Sequence, residues 1–371
     1  MRLLMTSASF YPSQEGGASN ALFWIARGLI KAGVKVRVVT TSRLIDDSTI
    51  PLDTWTKVDD VDVIYKHVKH YRVSAKLIDW KELSSCDAFM TTGLCEIPNF
   101  LSILIAIQKH KKVIISPRGE LFDSAIYNRG FIRGKIKLAF FKIQNCLFGH
   151  KVIYHSTSQQ ETAAIRTVLG DKCKIKLITN YLILAPKLPD ELRHDYLLFI
   201  GRIVPIKALD KLIKGLSMSE LFMHSDIQFW LAGDTNTSYF RTLQEIVDNL
   251  GLNEKVRFLG HITGKDKDVL YAKAKCLYLV SESENFGNVV VESLAQGTPA
   301  IVSHGAPWEL LIERKAGFWI ENTPEEIAKT TDILLSFSNA EYYQLRQSAY
   351  ELSKEYNMYD NVYKWVELLT E

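Results

Sequence analysis

Two carboxylates eight residues apart, Glu284 and Glu292, fall within residues 279–297, which read LVSESENFGNVVVESLAQG. The apolar run 276–280 has strand character, the polar segment ending at Gly287 breaks it, and 288–295 resumes with helical spacing. Glu284 therefore sits where the chain leaves a strand, and Glu292 follows inside a helix. An ionised carboxylate accepts two hydroxyl hydrogen bonds, as a ribose diol offers, and N–H groups at a helix start favour phosphate or sugar oxygens. A ligand carrying both an anion and hydroxyls suits this turn. Cations of matching chemistry stand earlier in the chain. Gly201-Arg202 closes an expected strand at 196–200, and Lys207 follows near the start of the next helix. The planar fork of Arg and the mobile point charge of Lys suit a diphosphate that gains negative charge as its bond to a sugar breaks. Near the N-terminus, Gly16-Gly17 precede another expected helix, where paired glycines let backbone approach a phosphate closely. The loop is neither G-x-G-x-x-G nor a P-loop, so dinucleotide and NTPase readings lose their main support.

These residues need elements that carry them to one edge of a sheet. Strand patterns at 2–7, 34–40, 61–65, 88–92, 113–116, 152–155 and 175–179 alternate with helical ones at 20–32, 99–109, 135–148 and 159–169. After a Pro-containing, aperiodic stretch at 182–194 the alternation restarts, with strands at 196–200, 227–232, 256–259, 276–280 and 300–302. Helical patterns at 208–216, 239–250, 265–274 and 289–295 separate them, and 324–337, 341–356 and 359–369 end the chain as helices. Strands separated by helices imply α/β architecture with parallel, doubly wound sheets, whose ligands bind at the carboxyl ends of the strands. The expectation is two Rossmann-like domains facing across a cleft, at 1–182 and 183–355, with 356–371 as a terminal helix crossing back to the first.

With 371 residues, 47% of them hydrophobic and 23% charged, the chain is long enough for two sizeable cores. Five scattered cysteines without a C-x-x-C pair argue against a disulfide framework or structural zinc and fit a reducing cytoplasm. No apolar stretch reaches 18 residues, so neither a signal peptide nor a membrane span is expected. The net charge of +3 hides an asymmetry, because residues 1–185 carry +11 and residues 186–371 carry −8. Part of the basic excess lies at Arg129, Arg133, Lys135, Lys137, Lys142 and Lys151, interleaved with Phe131, Ile136, Leu138, Phe140, Phe141 and Leu147 and without Asp or Glu. Such a segment is either a surface helix with solvated lysines or a basic amphipathic element that rests on an anionic membrane. No nucleic-acid reader motif accompanies the charge.

The Gly201-Arg202 to Lys207 element, the eight-residue spacing of Glu284 and Glu292 around Phe286-Gly287, the A-Q-G-T-P that follows and the Gly16-Gly17 loop together resemble the retaining glycosyltransferases of family 4. The resemblance spans nearly the whole chain and is more specific in the second domain. It implies a GT-B fold, with a nucleotide-sugar donor held mostly by the C-terminal domain and an acceptor on the N-terminal one. By the same resemblance Arg202 and Lys207 bind the donor diphosphate, Glu284 the transferred sugar and Glu292 the ribose hydroxyls. The backbone of Phe286, Gly287, Asn288 and Val289 meets sugar and phosphates, the Gly16-Gly17 loop approaches the phosphate, and the backbone at His261 and Ile262 holds the nucleobase. Arg118 stands where many members carry a histidine, so Arg118 and Glu120 become candidates for the acceptor side. S-P-R-G at 116–119 and G-A-P-W-E at 305–309 resemble members from bacterial surface-polysaccharide clusters, which implies a lipid-linked glycan acceptor at the inner membrane face.

In such a transfer the departing diphosphate itself takes the proton of the acceptor hydroxyl, so neither a cofactor nor a metal is expected. Asp60-Val61-Asp62 spells D-x-D, yet it opens a strand beside Asp59 and Lys57 and reads as a solvated strand entrance. Three alternatives stay open: a GT-B nucleotide-sugar epimerase, a non-catalytic nucleotide-sugar-binding protein and, more remotely, an NAD-dependent dehydrogenase.

Overall fold

A computed structural model describes residues 1–13, 17–46, 48–128, 130–189 and 196–371. The chain divides into two compact units, Met1–Ile183 with Met358–Glu371, and Leu184–Asn357. In the first, the strands β1 (Arg2–Ser7), β2 (Lys35–Thr41), β3 (Trp55–Val58), β4 (Val61–Lys66), β5 (Ala88–Thr92), β6 (Lys112–Ser116), β7 (Ile153–Ser156) and β8 (Ile175–Leu177) form one sheet in the order β3-β4-β2-β1-β5-β6-β7-β8. In the second, β9 (Tyr196–Ile200), β10 (Gln228–Ala232), β11 (Val256–Gly260), β12 (Ala274–Leu279), β13 (Ala300–Ser303) and β14 (Gly317–Ile320) take the order β11-β10-β9-β12-β13-β14. Every strand pair among the described residues is parallel except β3 with β4. These are the two Rossmann-like α/β units expected.

A parallel strand covered by helices on both faces has no solvent side, so the central strands read as continuous apolar runs. Every residue of β9, from Tyr196 to Ile200, is buried, as is every residue of β5. Between them the helices start where polar caps allow. Ser158 accepts from Glu161 N, Thr237 from Phe240 N and Thr323 from Glu326 N, and Ser338 with Glu341 forms a capping box.

Two strands lie outside the expected set. β3 is a four-residue antiparallel strand at the sheet edge, half-buried along most of its length, and it turns back into β4 through Asp59 in the left-handed region. β14 closes the other sheet beginning at Gly317, where an added Cβ would stand 2.2 Å from the Ala300 carbonyl oxygen. Short edge strands carry little apolar pattern, and this glycine serves a close backbone approach rather than a turn.

The last residues complete the first unit. Met358 N donates to Leu182 O at 2.8 Å, and the Met358 side chain lies where a Cβ on Gly28 would sit, 2.7 Å from its Cγ. The expected single helix at 359–369 is broken into Met358–Asn361 and Tyr363–Thr370. Trp365, Leu368 and Leu369 are buried, and Lys112 Nζ reaches Leu368 O at 3.2 Å.

Candidate functional site

In the second unit the loops after β9 and β12 emerge side by side, because those strands are neighbours. After β9 the chain passes Gly201 and Arg202, makes a 3-10 turn at Pro205–Lys207 and enters the helix Leu209–Met218 through Ala208, held in the left-handed region. Glu282 N donates to Ile206 O at 2.8 Å and ties the two loops together. Lys207 Nζ donates to Glu284 Oε2, with the two side chains 13% and 22% exposed. The pair is therefore shielded yet reachable from solvent. Arg202 is exposed and makes no hydrogen bond or ion pair through its guanidinium among the described residues. A third loop buttresses the turn: Glu284 N donates to Gly305 O at 2.8 Å, and the buried Trp308 indole donates to Phe286 O.

Gly287 is required twice over. Its φ of +86° lies in the left-handed region, and a Cβ there would stand 2.5 Å from Leu279 Cδ2. It precedes the helix Asn288–Ala295, whose first turn has no side-chain cap, so its N–H groups and dipole favour an anion or hydroxyl oxygen. Asn285, inside the same turn, has a buried Oδ1 without a hydrogen-bond partner among the described residues.

Glu292 occupies a separate cluster on this helix. One carboxylate oxygen receives Lys267 Nζ at 2.8 Å and the other the Tyr271 hydroxyl at 2.8 Å. Burial and the adjacent Glu292 raise the Tyr271 pKa well above its usual value, so its hydroxyl remains a neutral donor. Each carboxylate oxygen has a second lone pair, so two hydroxyl acceptor positions are left on Glu292. The sequence reading missed Lys267 and Tyr271. Their signal was a spacing of four on the helix Gly264–Lys273, which places both on one side of it. His261, exposed, and Ile262, half-buried, follow β11 at the same carboxyl edge of the sheet.

The candidates of the first unit are more dispersed. Gly16 lies outside the described residues, and Gly17 opens the helix Gly17–Lys31 that follows β1. Arg118 and Glu120 both follow β6, but their side chains engage different surroundings. Arg118, at φ 53°, donates through Nη1 to Asn180 Oδ1 at 2.6 Å, while its Nε and Nη2 are buried without a partner among the described residues. Burial pulls its pKa down to about 10, against the opposing pull of Glu161. Glu161 is fully buried and is spent on local structure, accepting from Gly119 N at 2.6 Å and from Thr157 N at 2.7 Å. Glu120 instead accepts from Leu94 N at 2.6 Å, and burial pushes its pKa up.

Beside Arg118 lies a polar pair that sequence reasoning did not single out. His155 is 0% exposed, with Nδ1 at 2.7 Å from Ser116 Oγ and Nε2 at 2.8 Å from Ile178 O. The carbonyl can only accept, so Nε2 carries the proton and Nδ1 accepts from Ser116. Burial first, then Arg118, hold the His155 pKa down to about 3. The arrangement has the bonding of a nucleophile and its base, but Ser116 is also 0% exposed, which makes it a core network.

Asp60 and Asp62 lie at the amino end of β4, opposite to the edge where the loops gather, and Asp60 lies 3.5 Å from Arg27. The basic segment forms the helix Phe131–Phe148; Arg129 lies outside the described residues. Of the three phenylalanines, Phe141 is buried in the core, Phe140 is half-buried against Phe100, and Phe131 is 65% exposed. No helix among the described residues is long and apolar enough to cross a membrane.

Two Rossmann-like units are the architecture of the GT-B fold, and solved structures of that fold match along the whole chain. Anabaena HepE, solved with UDP and glucose, superposes with a TM-score of 0.76 at 18% identity, covering 100% of this chain and 99% of its own. Sucrose-phosphate synthase from Thermosynechococcus elongatus gives 0.72 at 17% identity, covering 99% and 98%. Residues 185–352 match the family model of the glycosyl transferases group 1. Relatives include an uncharacterized glycosyltransferase of Methanocaldococcus jannaschii, 29% identical over 45% of this chain and 42% of its own. The O-antigen chain mannosyltransferase RfbU of Salmonella typhimurium is 31% identical over 37% of this chain and 38% of its own. The mannosylfructose-phosphate synthase of Agrobacterium fabrum is 33% identical over 29% and 25%. The chain thus spans between a quarter and about two fifths of the length of these curated relatives.

Proposed function

We propose that this chain is a retaining, metal-independent glycosyltransferase of family 4 type that moves a sugar from a nucleoside-diphosphate sugar to a hydroxyl of a lipid-linked glycan in bacterial surface-polysaccharide assembly. The observation that carries this reading is the Lys207–Glu284 pair at the carboxyl ends of adjacent strands, with the exposed cation Arg202 on the same loop. A diphosphate entering that edge meets two cations that neutralise it as the glycosidic bond breaks, which is the charge a leaving group needs. As the phosphate oxygens take over Lys207, Glu284 is released to accept hydroxyls of the transferred sugar. Glu292, held by Lys267 and Tyr271, keeps two acceptor positions for a ribose diol. The Asn288 helix start and Gly287 bring backbone N–H groups to the same place, and the loop at His261 and Ile262 adds to the donor surroundings within the second unit. The acceptor hydroxyl attacks on the face from which the diphosphate departs and gives it the proton, so alignment and leaving-group stabilisation supply the rate. Arg118 and Glu120 stand on the acceptor side.

Association with the inner face of an anionic membrane belongs to the same reading. The helix Phe131–Phe148 buries Phe141, Gln144 and Phe148 and turns Ile132, Ile136, Ile143 and Leu147 to solvent, flanked by the exposed Arg133, Lys135 and Lys142. Apolar side chains at this spacing beside cations match the chemistry of an anionic bilayer surface.

The test is a panel of nucleotide sugars incubated with the full chain, with and without glycan acceptors and with EDTA. Transfer that persists in EDTA and preserves the anomeric configuration, read by NMR, is the expected outcome. Release of an isomerised sugar from donor alone favours the epimerase, and loss of activity in EDTA ends the metal-free account.

A further inference from the structure

We propose that a cavity beside the helix Phe131–Phe148 in the first unit binds the phosphate or diphosphate group of a prenyl-type lipid. The inference rests on the lipid-linked acceptor proposed above and assigns the residues that hold its anionic part. The cavity measures about 580 Å³ and is lined by Arg72, Glu120, Arg133, Ile136 and Lys137 among others. That volume lies within the range of about 300 to 1,000 Å³ common to small-ligand sites.

Three cations face one carboxylate in this cavity. Lys137 Nζ spends one hydrogen bond on Ala125 O at 3.1 Å, which leaves two of its three donors for a ligand. Arg133 has no hydrogen bond or ion pair among the described residues, and its exposed guanidinium offers the planar fork that matches phosphate oxygens. Arg72 is set by its loop, whose carbonyl receives Ile97 N at 2.8 Å, and its Nε donates to the Tyr71 hydroxyl at 3.2 Å. Glu120 does not cancel this charge fully. It supplies one negative charge against three positive ones, and burial works against its charged form while the Leu94 N–H, Lys137 and Arg72 favour it.

The helix is fixed here rather than laid loosely on the surface. A Cβ on Gly134 would stand 2.2 Å from the Tyr127 ring, so the absence of a side chain lets the helix seat against that ring, and Tyr127 stacks on Phe131 at 5.9 Å. Ile136 links the cavity to the apolar row, because it lines the cavity and is itself 65% exposed, with Ile132 at 77% and Ile143 at 56% on the same side. An anion in the cavity therefore has an apolar surface next to it for the chain it carries. A free nucleotide or inorganic phosphate has no use for that row.

Calorimetric titration of the full chain with geranyl diphosphate, inorganic pyrophosphate and geraniol tests the assignment. Geranyl diphosphate is expected to bind more tightly than either fragment. Arg133→Glu and, independently, Lys137→Met should each weaken it at least tenfold, with an unchanged circular-dichroism melt. Binding should persist in Lys207→Ala, which removes a cation of the donor edge in the second unit. Geranyl diphosphate binding that is lost in Lys207→Ala but unchanged in Arg133→Glu would place the diphosphate in the second unit and overturn the proposal. Equal affinity for geraniol would overturn it as well. Phosphatidylcholine vesicles carrying either phosphatidylglycerol or a long-chain prenyl diphosphate separate the two sources of phosphate. Arg133→Glu should reduce binding chiefly to the second kind, and an equal loss on both means that the cations read bulk headgroups. Geranyl diphosphate binding that survives in a chain without transferase activity would remove the proposed function and keep the site.

Discussion

Lys207→Met and Glu284→Gln, made singly and together, separate a structural ion pair from a catalytic one. Met retains most of the Lys207 stem and removes its charge, which leaves Glu284, 22% exposed, without its partner. Exposed pairs contribute about 0–1 kcal/mol, and breaking a fully buried pair costs about 3–5 kcal/mol. With side chains 13% and 22% exposed, the Lys207 variant should lose an intermediate amount, on the order of 1–2 kcal/mol. Glu284→Gln should cost a similar amount, and the double variant should recover most of it because no unpaired charge remains. The coupling free energy from a cycle of thermal or urea melts is therefore expected to exceed either single loss, on the order of 2–3 kcal/mol. Catalysis should behave differently. If Lys207 stabilises the departing diphosphate, its loss lowers kcat by about 10² to 10³, equivalent to roughly 2.7–4 kcal/mol, and the second substitution restores none of it. Recovery of transfer together with stability in the double variant would mean that the pair only holds the loops. Near-wild-type transfer by Lys207→Met would remove the diphosphate role itself.

Three further outcomes follow from the geometry. Tyr271→Phe keeps the ring and removes one hydrogen bond to Glu292; a bond to a charged group contributes about 1.5–3 kcal/mol to stability, so the melting temperature should fall, and with the carboxylate less firmly oriented donor KM should rise while kcat changes little; a loss mainly in kcat would contradict a donor-binding role. Gly287→Ala should lower the melting temperature and abolish transfer together, since the left-handed conformation costs a side chain about 1–2 kcal/mol and its Cβ meets Leu279; a fully stable, active variant would refute the packing argument. His155, held down to about 3 in the folded chain, binds more protons when unfolded, so stability should fall as pH drops from about 6.5 toward 3, by up to about 1.4 kcal/mol per pH unit. A His155→Gln variant should flatten that slope between pH 6.5 and 4 in thermal melts, and an unchanged slope would assign the acid sensitivity elsewhere.

Central elements were legible in the sequence because burial on both faces leaves a local signature. β1, β5 and β9 read as apolar runs, and the helix at Gln159–Leu169 announces itself with Ser158 as cap. β3 and β14 were not legible, since half-exposed edge strands are decided by a neighbour's free hydrogen-bonding groups rather than by their own pattern. The same division holds at the site. The Glu284 and Glu292 turn and the Arg202 and Lys207 loop could be read because each lies within one strand-to-helix connection. The link between Lys207 and Glu284, and the Lys267 and Tyr271 clamp on Glu292, join residues from different connections. Helical spacing also overstated the ambiguity of the basic segment. Period alone could not say which of Phe131, Phe140 and Phe141 faces the core, and packing against Phe100 and the sheet decides it.

The charge asymmetry gives these pairings a common reason. The second half of the sequence carries a net charge of −8, an unfavourable field for a diphosphate unless cations are concentrated where it binds. At the carboxyl edge of the second sheet, Lys207 rests on Glu284 and Lys267 on Glu292, so both carboxylates are neutralised by side chains rather than by solvent ions. On the proposed reading the two pairs then diverge. Lys207 exchanges its carboxylate for phosphate oxygens, which frees Glu284 for the sugar. Lys267 and Tyr271 stay on Glu292, because a ribose diol brings hydroxyls and no charge to displace them. The exchange conserves the number of ion pairs on the Lys207 side, so donor affinity should fall with salt less steeply than two uncompensated cations would require. In the Glu284→Gln variant Lys207 has no pair to give up, and the salt dependence of donor binding should steepen; an unchanged slope would show that Lys207 does not leave Glu284 when the donor arrives.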